Sequence, residues 1–125
     1  INQIKQQFDP SWIVIEASGL AKIPSVLDTL EKYGKGFESV YTIVLADAER
    51  WEELAEIMPD FMFSQVAAAD LVLVNKIDKV SADKLKDIEA KMKDSGSHSR
   101  VMSLSAVKGV PEALLREVCS DESSC

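Results

Sequence analysis

The chain has 125 residues, 46% hydrophobic and 28% charged, with a formal net charge of −7 and a pI near 4.7. This balance excludes collagenous, disordered and membrane-spanning classes and leaves one ordinary globular domain. The acidic surplus argues against non-specific binding to nucleic acid or anionic lipid, because neutralising phosphates takes clustered Lys and Arg.

The opening "INQIKQQFDPSW" is expected to lead into a strand without any turn or helix that would cap a domain, so the chain reads as a piece of something longer. "WIVIEASG" (residues 12–19) is a short apolar run ending in small and polar residues, the pattern of a buried parallel strand feeding a functional loop. A helix follows: Pro24 suits a first helical position, Val26, Leu27 and Leu30 recur at helical spacing, and Gly34 supplies a stop. "SVYTIVLA" (39–46) is the second strand, after which Asp47 stands as a helix N-cap, with Glu49, Glu52 and Glu53 suiting the positive end of the helix dipole. That helix aligns Trp51, Leu54, Ile57 and Met58 as a core stripe, and Pro59 ends it or opens the next segment.

A short helix is expected over 61–69, then the strand "DLVLVN" (70–75). Ser81 caps the next helix, whose stripe is Leu85, Ile88 and Met92 and whose stop is Gly96. "RVMSLSA" (100–106) is the fourth strand with its exit loop, followed by Pro111 and a last helix carrying Leu114, Leu115 and Val118. Almost wholly apolar strands alternating with helices predict an α/β fold, a parallel sheet covered by helices on both faces. His98, in "SGSHSR", reads as solvated. Cys119 and Cys125 lie in the polar end "CSDESSC", which reads as a disordered tail over roughly 119–125 with reduced thiols rather than a metal or disulfide site. No apolar run approaches the roughly 20 residues of a membrane span and no signal-peptide series opens the chain, so a cytoplasmic location is expected.

In such sheets ligands bind beyond the carboxyl ends of the strands. There the chain places Glu16 to Gly19, Asp47, Asn75 to Asp78, and Ser105 with Ala106. The Asp78 carboxylate can accept two hydrogen bonds from the ring N–H and exocyclic amine of guanine, whereas adenine presents an acceptor and no amine there. Lys76 would lay its alkyl stem over the base, and Asn75 would tie neighbouring loops together. Small Ser105 and Ala106 would let backbone N–H groups approach the base carbonyl. Glu16 could hold a Mg²⁺-bound water, and Gly19 could admit a terminal phosphate. The bland alternatives are a polar loop capping the helix after Asp78 and a Glu16 paired with a lysine.

"IVIEASGLAKIPSVLDTL", "IVLADAERW", "SQVAAADLVLVNKIDKV" and "SLSAVKGV" together resemble the CobW/HypB/UreG group of P-loop GTPases, most closely its CobW branch, over roughly Ser11 to Leu115. The resemblance implies a P-loop NTPase-like fold in which Glu16 and Gly19 form the switch element E-x-x-G and the N-K-x-D of Asn75, Lys76 and Asp78 reads guanine. It implies GTP and GDP with Mg²⁺ as cofactors, and GTP hydrolysis coupled to delivery of Zn²⁺, Co²⁺ or Ni²⁺ or to cobalamin-type cofactor assembly. Its partners would be a client metalloprotein or cofactor-assembly enzyme and, by analogy with the wider class, a second copy in a homodimer. The chain departs from the pattern in holding no G-x-x-x-x-G-K-S/T phosphate loop and no C-x-C-C metal motif; "YGKGF" (33–37) reads as a helix-ending turn. Residues 1–125 are therefore expected to be part of a GTPase domain that alone hydrolyses GTP poorly or not at all. The rival expectation is a non-catalytic interaction module or a flavodoxin-like domain, with no preference between guanine and adenine.

Overall fold

The computed structural model describes residues 1–95 and 98–119. The chain divides into two compact units, Ile1–Glu38 and the residues from Ser39 onward.

The first unit is built on two helices, α1 (Asn2–Phe8) and α2 (Ile23–Tyr33). Helix α1 corrects the expectation of an uncapped lead-in. Ile1, Ile4 and Phe8 recur at helical spacing, and Asp9, in the left-handed conformation (φ 43°), ends the helix by donating its N–H to the Lys5 carbonyl immediately before Pro10. The Lys5 ammonium caps the Gly36 carbonyl and lies 5.6 Å from the Phe37 ring centroid, and Asn2 Nδ2 donates to the Tyr33 carbonyl at 2.9 Å, so α1 is tied to the end of α2. Helix α2 begins around Pro24 and stops where Gly34 donates its N–H to the Leu30 carbonyl, which makes "YGKGF" the expected helix-ending turn.

The strand expected over 12–19 does not form, and Val14 is 91% exposed. A strand exists only through ladder hydrogen bonds to a neighbour, and an apolar run carries no information about whether such a neighbour is present.

The second unit is a three-stranded parallel sheet in the order β1 (Ile43–Asp47), β2 (Leu71–Asn75), β3 (Arg100–Ser103). Helices α3 (Trp51–Ile57) and α4 (Pro59–Ala68) connect β1 to β2, α5 (Ala82–Asp94) connects β2 to β3, and α6 (Glu112–Cys119) follows. Side chains alternate across β2. Val72 and Val74 pack with Trp51, Val66, Ile88 and Met92 from α3, α4 and α5, whereas Leu71 and Leu73 pack with Leu104 and Leu114 on the α6 side. Both faces of the central strand are thus covered, as its unbroken "LVLV" requires.

Trp51 anchors the larger cluster edge-on against Phe63, with ring centroids 5.6 Å apart. Ile57, expected in the same stripe, is 67% exposed, because Met58 breaks the helix before Pro59 opens α4 two residues earlier than predicted. Ser81 caps α5 as expected, accepting the Lys84 N–H at 3.2 Å, and Leu85, Ile88 and Met92 form its inward stripe. The stop assigned to Gly96 lies outside the described residues. On α6, Leu114 and Val118 share the buried face while Leu115, one residue and about 100° around the helix, is half-exposed. Cys119 is the exposed last residue of α6; the rest of the tail expected over roughly 119–125, Cys125 included, lies outside the described residues. His98 is exposed.

Candidate functional site

The ends of β1, β2 and β3 present one cluster of polar side chains. Strand β2 is buried through Val74, so its exit is rigid, and the chain leaves the sheet at Lys76 in the left-handed conformation (φ 64°, ψ 32°). A single 3₁₀ turn over Ile77–Lys79 follows, with Ile77 packed back against the core. A lysine at positive φ costs about 1–2 kcal/mol relative to the right-handed region, and backbone strain of this kind concentrates where a loop is shaped for a task. After β3, Leu104 and Ser105 remain buried, a second 3₁₀ turn covers Ala106–Lys108, and Gly109 (φ 121°) releases the chain.

Backbone bonds lock the exits together. Leu104 N–H donates to the Val74 carbonyl at 2.9 Å, and Ala48 N–H donates to the Asn75 carbonyl at 3.0 Å. Side chains add three ties. Asn75 Oδ1 accepts the Ala106 N–H at 2.9 Å, Ser105 Oγ donates to Asp78 Oδ1 at 2.7 Å, and Lys76 Nζ donates to Asp47 Oδ2 at 2.9 Å. The structure therefore gathers Asn75, Lys76, Asp78, Ser105 and Ala106 in one place. It differs from the sequence expectation in one detail: the Ala106 amide foreseen as open to a base carbonyl is engaged by Asn75.

Asp47 is not the N-cap predicted for it. Arg50 occupies that position, and Asp47 ends β1 opposite Asn75, its Oδ1 accepting the Glu49 N–H at 2.9 Å in a tight turn. Its partnership with Lys76, 29 residues away, was the site feature that sequence reasoning missed. The available signal was its position at a strand end, in the row with Asn75.

The electrostatics follow these contacts. The Ser105 hydroxyl holds the Asp78 carboxyl below the ordinary carboxylate range, and the Lys76 hydrogen bond does the same for Asp47. The Asp47 carboxylate raises Lys76 in turn. Asn75 is half-buried, while Lys76 and Asp78 are exposed, so the polar groups after "LVLV" face solvent at the strand ends rather than fill the core.

Glu16 and Gly19 belong to the first unit. Glu16 is exposed, and Gly19 sits in a turn where an added Cβ would meet nothing within 4 Å, so no close approach of other protein atoms demands a glycine there. Among the described residues no group of three or more His, Cys, Asp or Glu gathers to hold a metal ion.

The family model for the CobW/HypB/UreG nucleotide-binding domain matches residues 1–103. The chain belongs to the CobW/HypB/UreG family. The family match takes in Glu16, Gly19 and the whole N-K-x-D element and ends at Ser103, two residues before Ser105, so the loop after β3 joins the site through its hydrogen bonds. The three parallel strands with their flanking helices agree with a P-loop NTPase-like portion of that domain. No curated protein and no solved structure matches the chain. No described helix is long and apolar enough to cross a membrane.

Proposed function

We propose that this member of a nucleotide-binding family holds the guanine base of GTP or GDP at the ends of β2 and β3. The observation that carries the reading is the Asp78 carboxylate, exposed at the rim with Oδ1 fixed by the buried Ser105 hydroxyl. A carboxylate kept ionised and oriented matches the paired N–H donors of guanine, and adenine would leave it partly unpaired at a cost of roughly 1–3 kcal/mol. The Lys76 stem, two residues before Asp78 in the chain, would supply an apolar strip for the face of the base. Asn75 supports both loops through Ala106.

The residues gathered after β2 and β3 fit the base and not the phosphates. The chain contains no phosphate loop, whose backbone and lysine would hold the phosphates. No hydrolytic step is accordingly assigned to these residues. Within a CobW-branch GTPase, residues 1–125 would be the part of the domain that recognises guanine, with Glu16 and Gly19 as its switch element. The same reading makes the parent a cytoplasmic GTPase, acting with a client metalloprotein or cofactor-assembly enzyme in metal delivery.

Calorimetric titration of the chain with Mg·GDP and with Mg·ADP, repeated on Asp78→Asn, tests the base assignment. Binding of GDP alone, abolished by the substitution, supports it. Equal binding of both nucleotides, insensitive to Asp78→Asn, replaces it with an interaction module that has no base preference.

A further inference from the structure

We infer that Asp47 is a positioning residue of the base site: it draws the Lys76 ammonium toward the end of β1 and thereby holds in place the Lys76 stem on which the base would pack. The inference rests on the guanine reading above and adds to it a residue outside N-K-x-D.

Three constraints converge on this pair. Asp47 and Asn75 are partners in the parallel register, and the Ala48 N–H to Asn75 carbonyl bond pins the two strand exits together just beyond them. The carboxylate is used at both oxygens, Oδ1 by the Glu49 N–H and Oδ2 by Lys76, so it cannot swing without losing a bond. Lys76 leaves the sheet from a left-handed residue, which sets the direction in which its stem departs. With both ends of the stem held, its methylenes are laid out between β2 and β1.

An exposed lysine without such a tether samples many rotamers and must be ordered when a ligand packs on it. Ordering one long side chain weakens binding by about two- to thirteen-fold, and a tether already present removes that penalty. Asp47 is 27% exposed, which leaves it reachable by solvent yet aimed at a single cation. Asp47 holds the Lys76 side chain and Asp78 reads the base edge, so the two carboxylates have separable effects. Loss of the Asp47 tether weakens every base that stacks on the stem by the same factor, whereas loss of Asp78 removes discrimination at the base edge.

The experiment titrates the full chain with GDP and with IDP, which lacks the exocyclic amine, in the parent and in Asp47→Asn, Lys76→Met, the double variant and Asp78→Asn. Asp47→Asn is expected to weaken both nucleotides about two- to thirteen-fold with the GDP-to-IDP ratio retained. The double variant should lose no more than Lys76→Met alone, because the two residues act as one unit. Asp78→Asn should instead collapse the ratio. Unchanged affinities in Asp47→Asn, beside a collapsed ratio in Asp78→Asn, overturn the positioning role and leave the guanine reading standing. A parent chain that binds neither nucleotide, or both equally, overturns the two together. Should the affinity lost in Asp47→Asn add to that lost in Lys76→Met, the residue does not act through the stem and the inference fails. Lys76→Met, altered at an exposed side chain, keeps the cycle readable if Asp47→Asn does not fold.

Discussion

Replacing Asn75 by Ala isolates the clamp between the β2 and β3 exits. The substitution removes the Oδ1 acceptor of the Ala106 N–H, a bond of 2.9 Å between neutral groups, and leaves the strand ladder untouched. Such a bond is worth about 0.5–1.5 kcal/mol net. Ala106 is itself exposed, so water can replace the lost acceptor and the cost should stay within that range. The Leu104 to Val74 backbone bond and the Ser105 to Asp78 contact remain, which confines the loosening to the 3₁₀ turn over Ala106–Lys108. A loss of about 1 kcal/mol accelerates exchange of the Ala106 amide about five-fold through local opening, while amides of β2 change no more than the global stability does. Hydrogen exchange followed residue by residue, with a urea melt alongside, reads both quantities. Asn75→Asp is the control: it retains the acceptor and should retain protection at Ala106. An Ala106 amide that exchanges at the parent rate in Asn75→Ala would refute the clamp, whatever happened to the melt.

Leu71→Ala should cost about 2–5 kcal/mol and Leu45→Ala less than about 0.5 kcal/mol in the same melt, because the first is fully buried and the second 74% exposed; equal effects would contradict the core as drawn. The Asp47 carboxyl, depressed by Lys76, contributes stability at neutral pH that is lost as pH falls below about 4 and through its native value. That contribution should stay under about 1 kcal/mol for so exposed a pair. Asp47→Asn should flatten the stability curve in that acid window and nowhere above it; an unchanged slope would show that the pair does not persist in solution. Gly109→Ala should cost about 1–3 kcal/mol from backbone strain alone, since at φ 121° and ψ 159° the backbone is almost exclusive to glycine while an added Cβ meets nothing within 4 Å. Asn, whose tolerance of positive φ is confined to the left-handed region, should do no better at this position.

Elements whose cause is local were readable in advance. "LVLV" followed by Asn has the composition of a buried central strand and finds a partner on each side in β1 and β3, and Ser81 with Leu85, Ile88 and Met92 carries both a cap and an inward stripe. Residues 12–19 were not readable, because a run of the same apolar quality becomes a strand only when a partner supplies hydrogen bonds. Helix α1 was hidden by polar residues that obscure the spacing of Ile1, Ile4 and Phe8. At the site, residues following strands could be nominated because a parallel sheet collects its strand ends. Which atoms meet could not: the Lys76 to Asp47 contact depends on the register between β1 and β2, and the Asn75 to Ala106 contact on how β3 exits. Asp47 was mistaken for a helix cap because an aspartate before acidic helical residues satisfies that role in sequence equally well.

The register of β1 against β2 also decides where this chain can gain or lose a residue. Adding one residue inside Ile43–Asp47 would exchange the two faces of the strand, sending Leu45 toward Trp51 and Ala46 toward the α6 side, and would carry the Asp47 carboxylate one step, about 3.3 Å, past Asn75. The same addition after Gly109 would lengthen a connection that leads out of the site and shift none of the three strand ends. Length variation in relatives of this chain should therefore gather on the exit side of the second 3₁₀ turn, and a library of single-residue insertions should keep its survivors there while losing those within the five residues of β1.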